Sequence, residues 1–239
     1  MTTSPIVKVC GIRTVEAAQV ALDAGANMIG MIMVPNRART VDMETAGKIS
    51  RLVRSYRRQG SFELDTNELG GSTHSALAHI IEAKTRTRPA IVGVFRNQPL
   101  SEVLRLQQEL SLDFVQLHGS EPLEWCRLIP CPVIRRFTPD TPDFYASPVT
   151  GYHSLSLIDG EVGGEGKMVD WSGVQSRARM GARFLMAGGL TADNVAQALA
   201  VEGACGVDVS GGVESSPGVK DLNEIERFVK AAKGVTVKY

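Results

Sequence analysis

MIGMIMV, Met28–Val34, carries no polar side chain along its whole length, and AIVGVF, Ala90–Phe95, repeats the pattern after a long interval. A strand with one face in water alternates apolar and polar residues. These two do not, so both of their faces are expected to be buried, as in a parallel sheet covered by helices. Six further strand-like runs accompany them: IVKVC (Ile6–Cys10), DFVQL (Asp113–Leu117), PVIRRF (Pro132–Phe137), SLSLID (Ser154–Asp159), RFLMAG (Arg183–Gly188) and CGVDVS (Cys205–Ser210). Helix-like segments lie between them and after the last. Such alternation requires right-handed parallel crossovers, which leaves an open doubly wound sheet or a closed barrel. Eight units favour closure, and no second domain is visible to complete the cleft of an open sheet. The expected fold is therefore α/β, an eight-stranded parallel (β/α)8 barrel, with residues 1–239 forming one domain.

The helices have readable ends. Thr14 is placed to cap a helix running to Gly25, and Thr191 to cap ADNVAQALAVEG. Asp221, with Glu224 three residues later, resembles a capping box ahead of Ile225, Phe228, Val229 and Ala232. One segment interrupts the rhythm. Residues 59–89, QGSFELDTNELGGSTHSALAHIIEAKTRTRP, are inserted between the second helix and the third strand. Their first half reads as a loop and HSALAHIIEAK as a short helix packed outside the barrel. A helix-to-strand connection of this kind belongs to the face opposite the active site.

Charge and cysteine usage exclude several classes. The chain has 239 residues with 26 basic and 26 acidic side chains, so no global field recruits nucleic acid or an anionic membrane. Cys10, Cys126, Cys131 and Cys205 lack zinc-ligand spacing, no Asn-x-Ser/Thr site is present, and MTTSPIVKV lacks a signal-type apolar core. A reduced, cytoplasmic setting is expected, with no membrane span and, from the modest strand and loop lengths, a monomer.

Chemistry concentrates at the strand ends. LMAGGLTADN after the seventh strand and VDVSGGVESSPG after the eighth place Gly188, Gly189, Gly211 and Gly212 where backbone N–H groups can approach an oxyanion, which describes a phosphate cradle. Two such turns at units seven and eight outweigh the bland reading of tight turns alone. The substrate is expected to be a small phosphorylated molecule. GGEGK, Gly163–Lys167, lacks the earlier glycine and the Ser/Thr of a nucleotide loop and reads as a flexible loop instead. Lys8 and Cys10 share one face of the first strand, and a nearby ammonium would favour a Cys10 thiolate as a base. Asp159 ends the sixth strand and would project into the same mouth. An acid and a base on separated strands is the functional reading. A buried thiol and a helix cap are the plain ones.

KVCGI, VPNRARTVD, GVFRNQP, VQLHG, LIDGEVGGEGKMVDW, MAGGLTADNV and GVDVSGGVE, in this order and at matching units, resemble the phosphoribosylanthranilate isomerase family, in particular its stand-alone fungal form. The resemblance covers the chain apart from the insertion. It implies an Amadori rearrangement of N-(5-phosphoribosyl)anthranilate to the 1-deoxyribulose phosphate, with neither metal nor organic cofactor. It matches Asp159 to the general acid, Cys10 to the general base, and Arg39 to the arginine beside the anthranilate carboxylate, with Arg37 a close competitor. The phosphate falls to Gly188, Gly189, Ser210, Gly211 and Gly212. Asp208 is suited either to orienting substrate hydroxyls or to a buried hydrogen bond, and His118 either to substrate contact or to a structural role. Another phosphosugar isomerase or epimerase barrel, or a phosphate-binding barrel without turnover, remains open on fold and loops alone.

Overall fold

The computed structural model describes residues 2–57, 74–139, 141–146, 154–159, 174–179 and 182–238. The long apolar runs become the staves of a closed, wholly parallel barrel: β1 (Ile6–Val9), β2 (Met28–Ile32), β3 (Ala90–Phe95), β4 (Phe114–Leu117), β5 (Val133–Phe137), β6 (Leu155–Ile158), β7 (Phe184–Met186) and β8 (Ala204–Val209). Each strand pairs with its neighbours in sequence, and β8 returns to β1 with Ile6 opposite Gly206 and Lys8 opposite Asp208. Because strand side chains alternate, one set faces the helices and the other fills the interior. The interior set includes Ile6, Met28, Val92, Phe114, Ile134, Leu155, Leu157 and Leu185, all fully buried. Toward the strands' C-terminal ends the inward positions turn polar: Lys8 and Cys10 follow Ile6, Gln116 and His118 follow Phe114, and Asp159 follows Leu157. The floor of the interior is oil and its mouth is chemistry.

Around the barrel run α1 (Val15–Asp23), α2 (Met43–Ser55), α3 (His74–Thr87), α4 (Leu100–Glu109), α5 (Trp125–Leu128), α6 (Pro142–Ala146), α7 (Val174–Ala178), α8 (Val195–Leu199) and α9 (Leu222–Lys233). Thr14 caps α1, its Oγ1 accepting from the Ala17 N–H at 3.1 Å. Asp221 caps α9 through the N–H groups of Asn223 and Glu224. The reciprocal half of that capping box is absent, since the Asp221 N–H donates to the Val213 carbonyl and Glu224 turns to Arg227. The cap expected at Thr191 is not made. Its own N–H donates to Asn194 Oδ1 at 2.8 Å while Asn194 Nδ2 donates to the Gly189 carbonyl, so the asparagine holds a turn and α8 starts only after it. No helix among the described residues is long and apolar enough to cross a membrane.

The insertion corrects one expectation. Residues 59–73 lie outside the described residues, as does the Gly163–Lys167 loop. The helix that follows, α3, has 14 residues and does not pack outside the barrel. Its Leu77 and Ile81 join the interior cluster with Ile6, Met28, Ala90 and Phe114, the first residues of β1 to β4. The helix thus closes the N-terminal floor. Glu82, 1 % exposed, pairs there with Arg183 just ahead of β7, and Asn27 just ahead of β2 donates through Nδ2 to the Thr85 carbonyl. The reason is visible in hindsight: Leu77 and Ile81 stand four apart on one face of the helix, and the ring of apolar side chains at the barrel's end offers that face a partner.

Burial of each of these two side chains is worth about 1.5–3 kcal/mol. Ile81→Ala is expected to lower the unfolding free energy by about 2–5 kcal/mol, because the floor cannot collapse around the vacancy. Catalytic efficiency should stay within about twofold, since an internal cavity at the floor leaves the mouth's hydrogen bonds intact. Denaturant unfolding beside steady-state kinetics checks both, and a loss below about 0.5 kcal/mol would reduce α3 to a decoration.

Candidate active site

Lys8 has no exposed surface, and its Nζ lies 2.9 Å from Asp208 Oδ2 directly across the β1–β8 seam. Burial works against the ammonium, but the negative charge of Asp208 and the neighbouring Cys10 outweigh it and raise the Lys8 pKa. Cys10, two residues on, is 5 % exposed and anchored by its N–H to the Val209 carbonyl at 2.8 Å. Both side chains fit only because β2 presents Gly30 to them. A Cβ there would stand 2.8 Å from Cys10 Sγ and 3.1 Å from Lys8 Nζ. The glycine inside the run that decides the fold is thus a site residue that apolar patterning concealed.

The pull of Lys8 toward a Cys10 thiolate, expected from the sequence, is present but is outweighed. Burial pushes the thiol up, Lys8 draws it down, and Asp208 pushes it up again; the balance leaves Cys10 above the ordinary thiol range. Lys8 is the strongest charge acting on the sulfur, and it is the loss of water together with the negative Asp208 that outweighs it.

On the opposite wall, Gln116 Nε2 and His118 Nδ1 are 2.9 Å apart, and His118 Nε2 faces Asp159 Oδ2 at 3.6 Å. The His118 N–H donates to the Phe95 carbonyl and the Asp159 N–H to the Phe137 carbonyl, so each is fixed to the neighbouring strand at its C-terminal end. Burial, then the charges of Arg136, Lys8 and Arg96, hold the imidazole pKa down to about 3. His118 is a neutral ring throughout the physiological range. With Gln116 donating to Nδ1, the ring's proton sits on Nε2, directed at Asp159. Two buried acceptors, Gln116 Oε1 and Asp208 Oδ1, have no hydrogen-bond partner among the described residues, and both residues line the cavity between these walls.

That cavity, about 480 Å³, is lined by Cys10, Arg39, Asp159, Gly188, Gly189, Asp208, Ser210, Gly211 and Gly212. Gln116, His118 and Arg96 join them. Arg37 also reaches the rim but is exposed, whereas Arg39 is half-buried and donates to Glu214 through Nε at 2.7 Å and Nη2 at 2.8 Å. Gly188 and Gly189 turn with φ of +86° and +64°. Gly212 matters for close approach instead. A Cβ on it would come within 1.8 Å of the Leu190 carbonyl oxygen, so its bareness lets the loops after β7 and β8 close against each other. Gln116, Gly30, Glu214 and Lys220 were missed by motif reading. A polar residue at an inward position of β4 was the available signal for Gln116.

A family model described as N-(5'phosphoribosyl)anthranilate (PRA) isomerase matches residues 50–231. The N-(5'-phosphoribosyl)anthranilate isomerase of Wickerhamomyces anomalus is 44 % identical over 95 % of this chain and 99 % of its own length. Among solved structures, phosphoribosyl anthranilate isomerase from Thermotoga maritima superposes with a TM-score of 0.73 at 30 % identity, covering 97 % of this chain and all of that one. A phosphoribosyl anthranilate isomerase in complex with reduced 1-(o-carboxyphenylamino)-1-deoxyribulose 5-phosphate gives a TM-score of 0.71 at 28 % identity over 97 % of this chain and 100 % of that one. Family model, full-length fungal similarity and barrel geometry converge: the chain belongs to the N-(5'-phosphoribosyl)anthranilate isomerase family.

Proposed function

We propose that the cavity catalyses the Amadori rearrangement of N-(5-phosphoribosyl)anthranilate to 1-(2-carboxyphenylamino)-1-deoxyribulose 5-phosphate in tryptophan biosynthesis, with Asp159 as general acid and Cys10 as general base. The observation that carries the reading is that both residues open into one cavity whose rim is formed by the glycine loops after β7 and β8. The phosphate sits at Gly188, Gly189, Ser210, Gly211 and Gly212, where bare backbone leaves room for an oxyanion against N–H groups. Arg39 takes the anthranilate carboxylate, being less solvated than Arg37 and held in orientation by a bidentate partner. Asp208 Oδ1 and Gln116 Oε1 accept from the ribose hydroxyls, which satisfies two buried acceptors.

The proton order follows from this arrangement. Asp159 gives its proton to the ribose ring oxygen, the C1′–O bond breaks, and the nitrogen lone pair forms an iminium. His118, whose Nε2 faces Asp159 Oδ2 at 3.6 Å, stabilises the carboxylate left behind without bringing a charge of its own. Cys10, having released its thiol proton to solvent as the iminium forms beside it, then takes the C2′ proton as a thiolate to give an enolamine, which tautomerises to the ketone. A resting thiol suits this sequence: the cation is created beside Cys10 only after the ring opens, and a nearby positive charge favours the thiolate at the step that uses it. A cytoplasmic monomer belongs to the same proposal. Four cysteines stand free, and the most exposed large apolar side chains described, Val15, Met43, Leu128 and Val219, are scattered over separate segments.

Cys10→Ser and Asp159→Asn should each lower kcat by at least about a hundredfold while circular dichroism and product-analogue binding stay near wild type. Near-normal turnover in either folded variant removes that residue's role. His118 supplies a pH test. Its depressed folded pKa means that the unfolded chain binds more protons between about 3 and 6.5, so its contribution to stability is complete above pH 6.5 and is lost as pH falls through that window. His118→Asn should therefore be less acid-sensitive than wild type in that range by urea unfolding. Its kcat/KM profile between pH 5 and 8 should keep its inflections, although the rate falls. An inflection near 6.5 that disappears in the variant would show a titrating imidazole.

A further inference from the structure

Glu214, 4 % exposed in its side chain, receives both hydrogen bonds that Arg39 donates from its side chain among the described residues, and it also receives Lys220 Nζ at 3.0 Å. We propose that Glu214 is a positioning residue: clamped by Lys220, it holds the Arg39 guanidinium side-on so that the remaining end-on fork meets the substrate's aromatic carboxylate. The inference rests on the role given to Arg39 above and adds what sets that arginine's pitch and selectivity.

The clamp is built by strand register. A small antiparallel hairpin follows the eighth strand, Glu214–Ser216 against Val219–Lys220, and it places Glu214 opposite Lys220. Lys220 Nζ also donates to the Ser210 carbonyl at 2.8 Å, tying the hairpin back to the end of β8. Its far side docks on the loop that carries Arg39. Arg13 Nη1 donates to the carbonyls of Ala38 and Gly218, and a Cβ on Gly218 would come within 2.2 Å of the Ala38 oxygen. Both ends of the Arg39–Glu214 contact are thus fixed to the frame.

Guanidinium geometry supplies the specificity. Nε and Nη2 form one edge, used by Glu214, and Nη1 with the outer N–H of Nη2 forms a second edge able to hold another planar carboxylate. Charge points the same way. Two cations and one anion leave a single positive charge uncompensated in this cluster, which one carboxylate neutralises. Burial works against a charge on Glu214, yet the Arg39 hydrogen bonds and the Lys220 ammonium outweigh it and keep the carboxyl below its usual range. Without Glu214 the two cations would repel, and Arg39 would lose the partner that defines its plane.

The test uses the full chain and three competitive inhibitors: the reduced product analogue, the same analogue lacking its aromatic carboxyl, and inorganic phosphate. Glu214→Gln should weaken the carboxylated analogue at least about tenfold, the scale of a charge-assisted hydrogen bond, and leave the other two within about twofold. KM should rise by a larger factor than kcat falls. Glu214→Asp keeps the charge on a shorter arm and should lie between, which preserves the test if the glutamine variant folds poorly. Equal weakening of all three ligands would overturn the proposal in favour of general support of the fold. Selective loss of phosphate would assign the cluster to the phosphate, and tighter binding of the carboxylated analogue would make Glu214 a competitor that substrate displaces. Arg39→Met separates the underlying reading: if it keeps the preference for the carboxylated analogue, the role of Arg39 itself fails. If it abolishes that preference while Glu214→Gln does not, only the positioning role fails.

Discussion

An ammonium and a carboxylate, both nearly or wholly withdrawn from water, meet at 2.9 Å across the seam where the last strand of the barrel returns to the first. Removing two charges from water costs several kcal/mol per ion, so Lys8 and Asp208 contribute little net stability and would be replaced by apolar residues if closure alone mattered. Their consequence is positional. The pair sits one inward step below Cys10, and the seam's register puts Lys8 directly opposite Asp208. A slip of one residue along this seam would turn Asp208 toward the helices and strand Lys8 among apolar neighbours. Everything in the mouth inherits its coordinates from that register.

The two ends of the barrel solve opposite problems. At the floor, α3 lays Leu77 and Ile81 onto the interior and pairs Glu82 with Arg183, so apolar side chains and a buried ion pair cover the interior at that end. At the mouth, inward positions carry Lys8, Cys10, Gln116, His118, Asp159 and Asp208, and two buried acceptors stand without partners among the described residues. Unsatisfied buried acceptors cost about 1–3 kcal/mol each. A structure tolerates them where a ligand's donors complete the set, and the plugged floor supplies stability in a region that does not touch the chemistry.

Electrostatics in the mouth is arranged around what appears during the reaction. His118 stays neutral first because it is buried and then because the charges of Arg136, Lys8 and Arg96 disfavour a further cation there. Cys10 rests as a thiol for the complementary reason, that burial and Asp208 together outweigh Lys8. Neither group is preset in its charged form. In the proposed reaction Cys10 responds to charge generated on the substrate, which confines its reactivity to the occupied site.

Uninterrupted apolar runs such as Met28–Val34 identify strands buried on both faces, and eight strand-like runs separated by helices leave few topologies besides a closed barrel. Fold class therefore lay in local pattern. Strand-end chemistry was legible for the same reason: Cys10, Asp159 and the paired glycines end their runs, and a parallel barrel brings all such ends to one rim. What local pattern could not carry was any property of two segments at once. Gly30 reads as one more apolar residue until Cys10 and Lys8 are seen to need the space that its missing Cβ leaves. The helix of the insertion reads as surface until the apolar ring at the floor gives Leu77 and Ile81 a partner. Glu214 and Lys220 carry no signal of their own along the chain; the hairpin register sets them against each other and Glu214 against Arg39. Periodicity and composition decide which elements form, because they depend on neighbours along the chain. The thiol's resting state, the arginine's orientation and the closing of the floor depend on desolvation and contact between residues far apart in sequence, and the tertiary structure alone decides those.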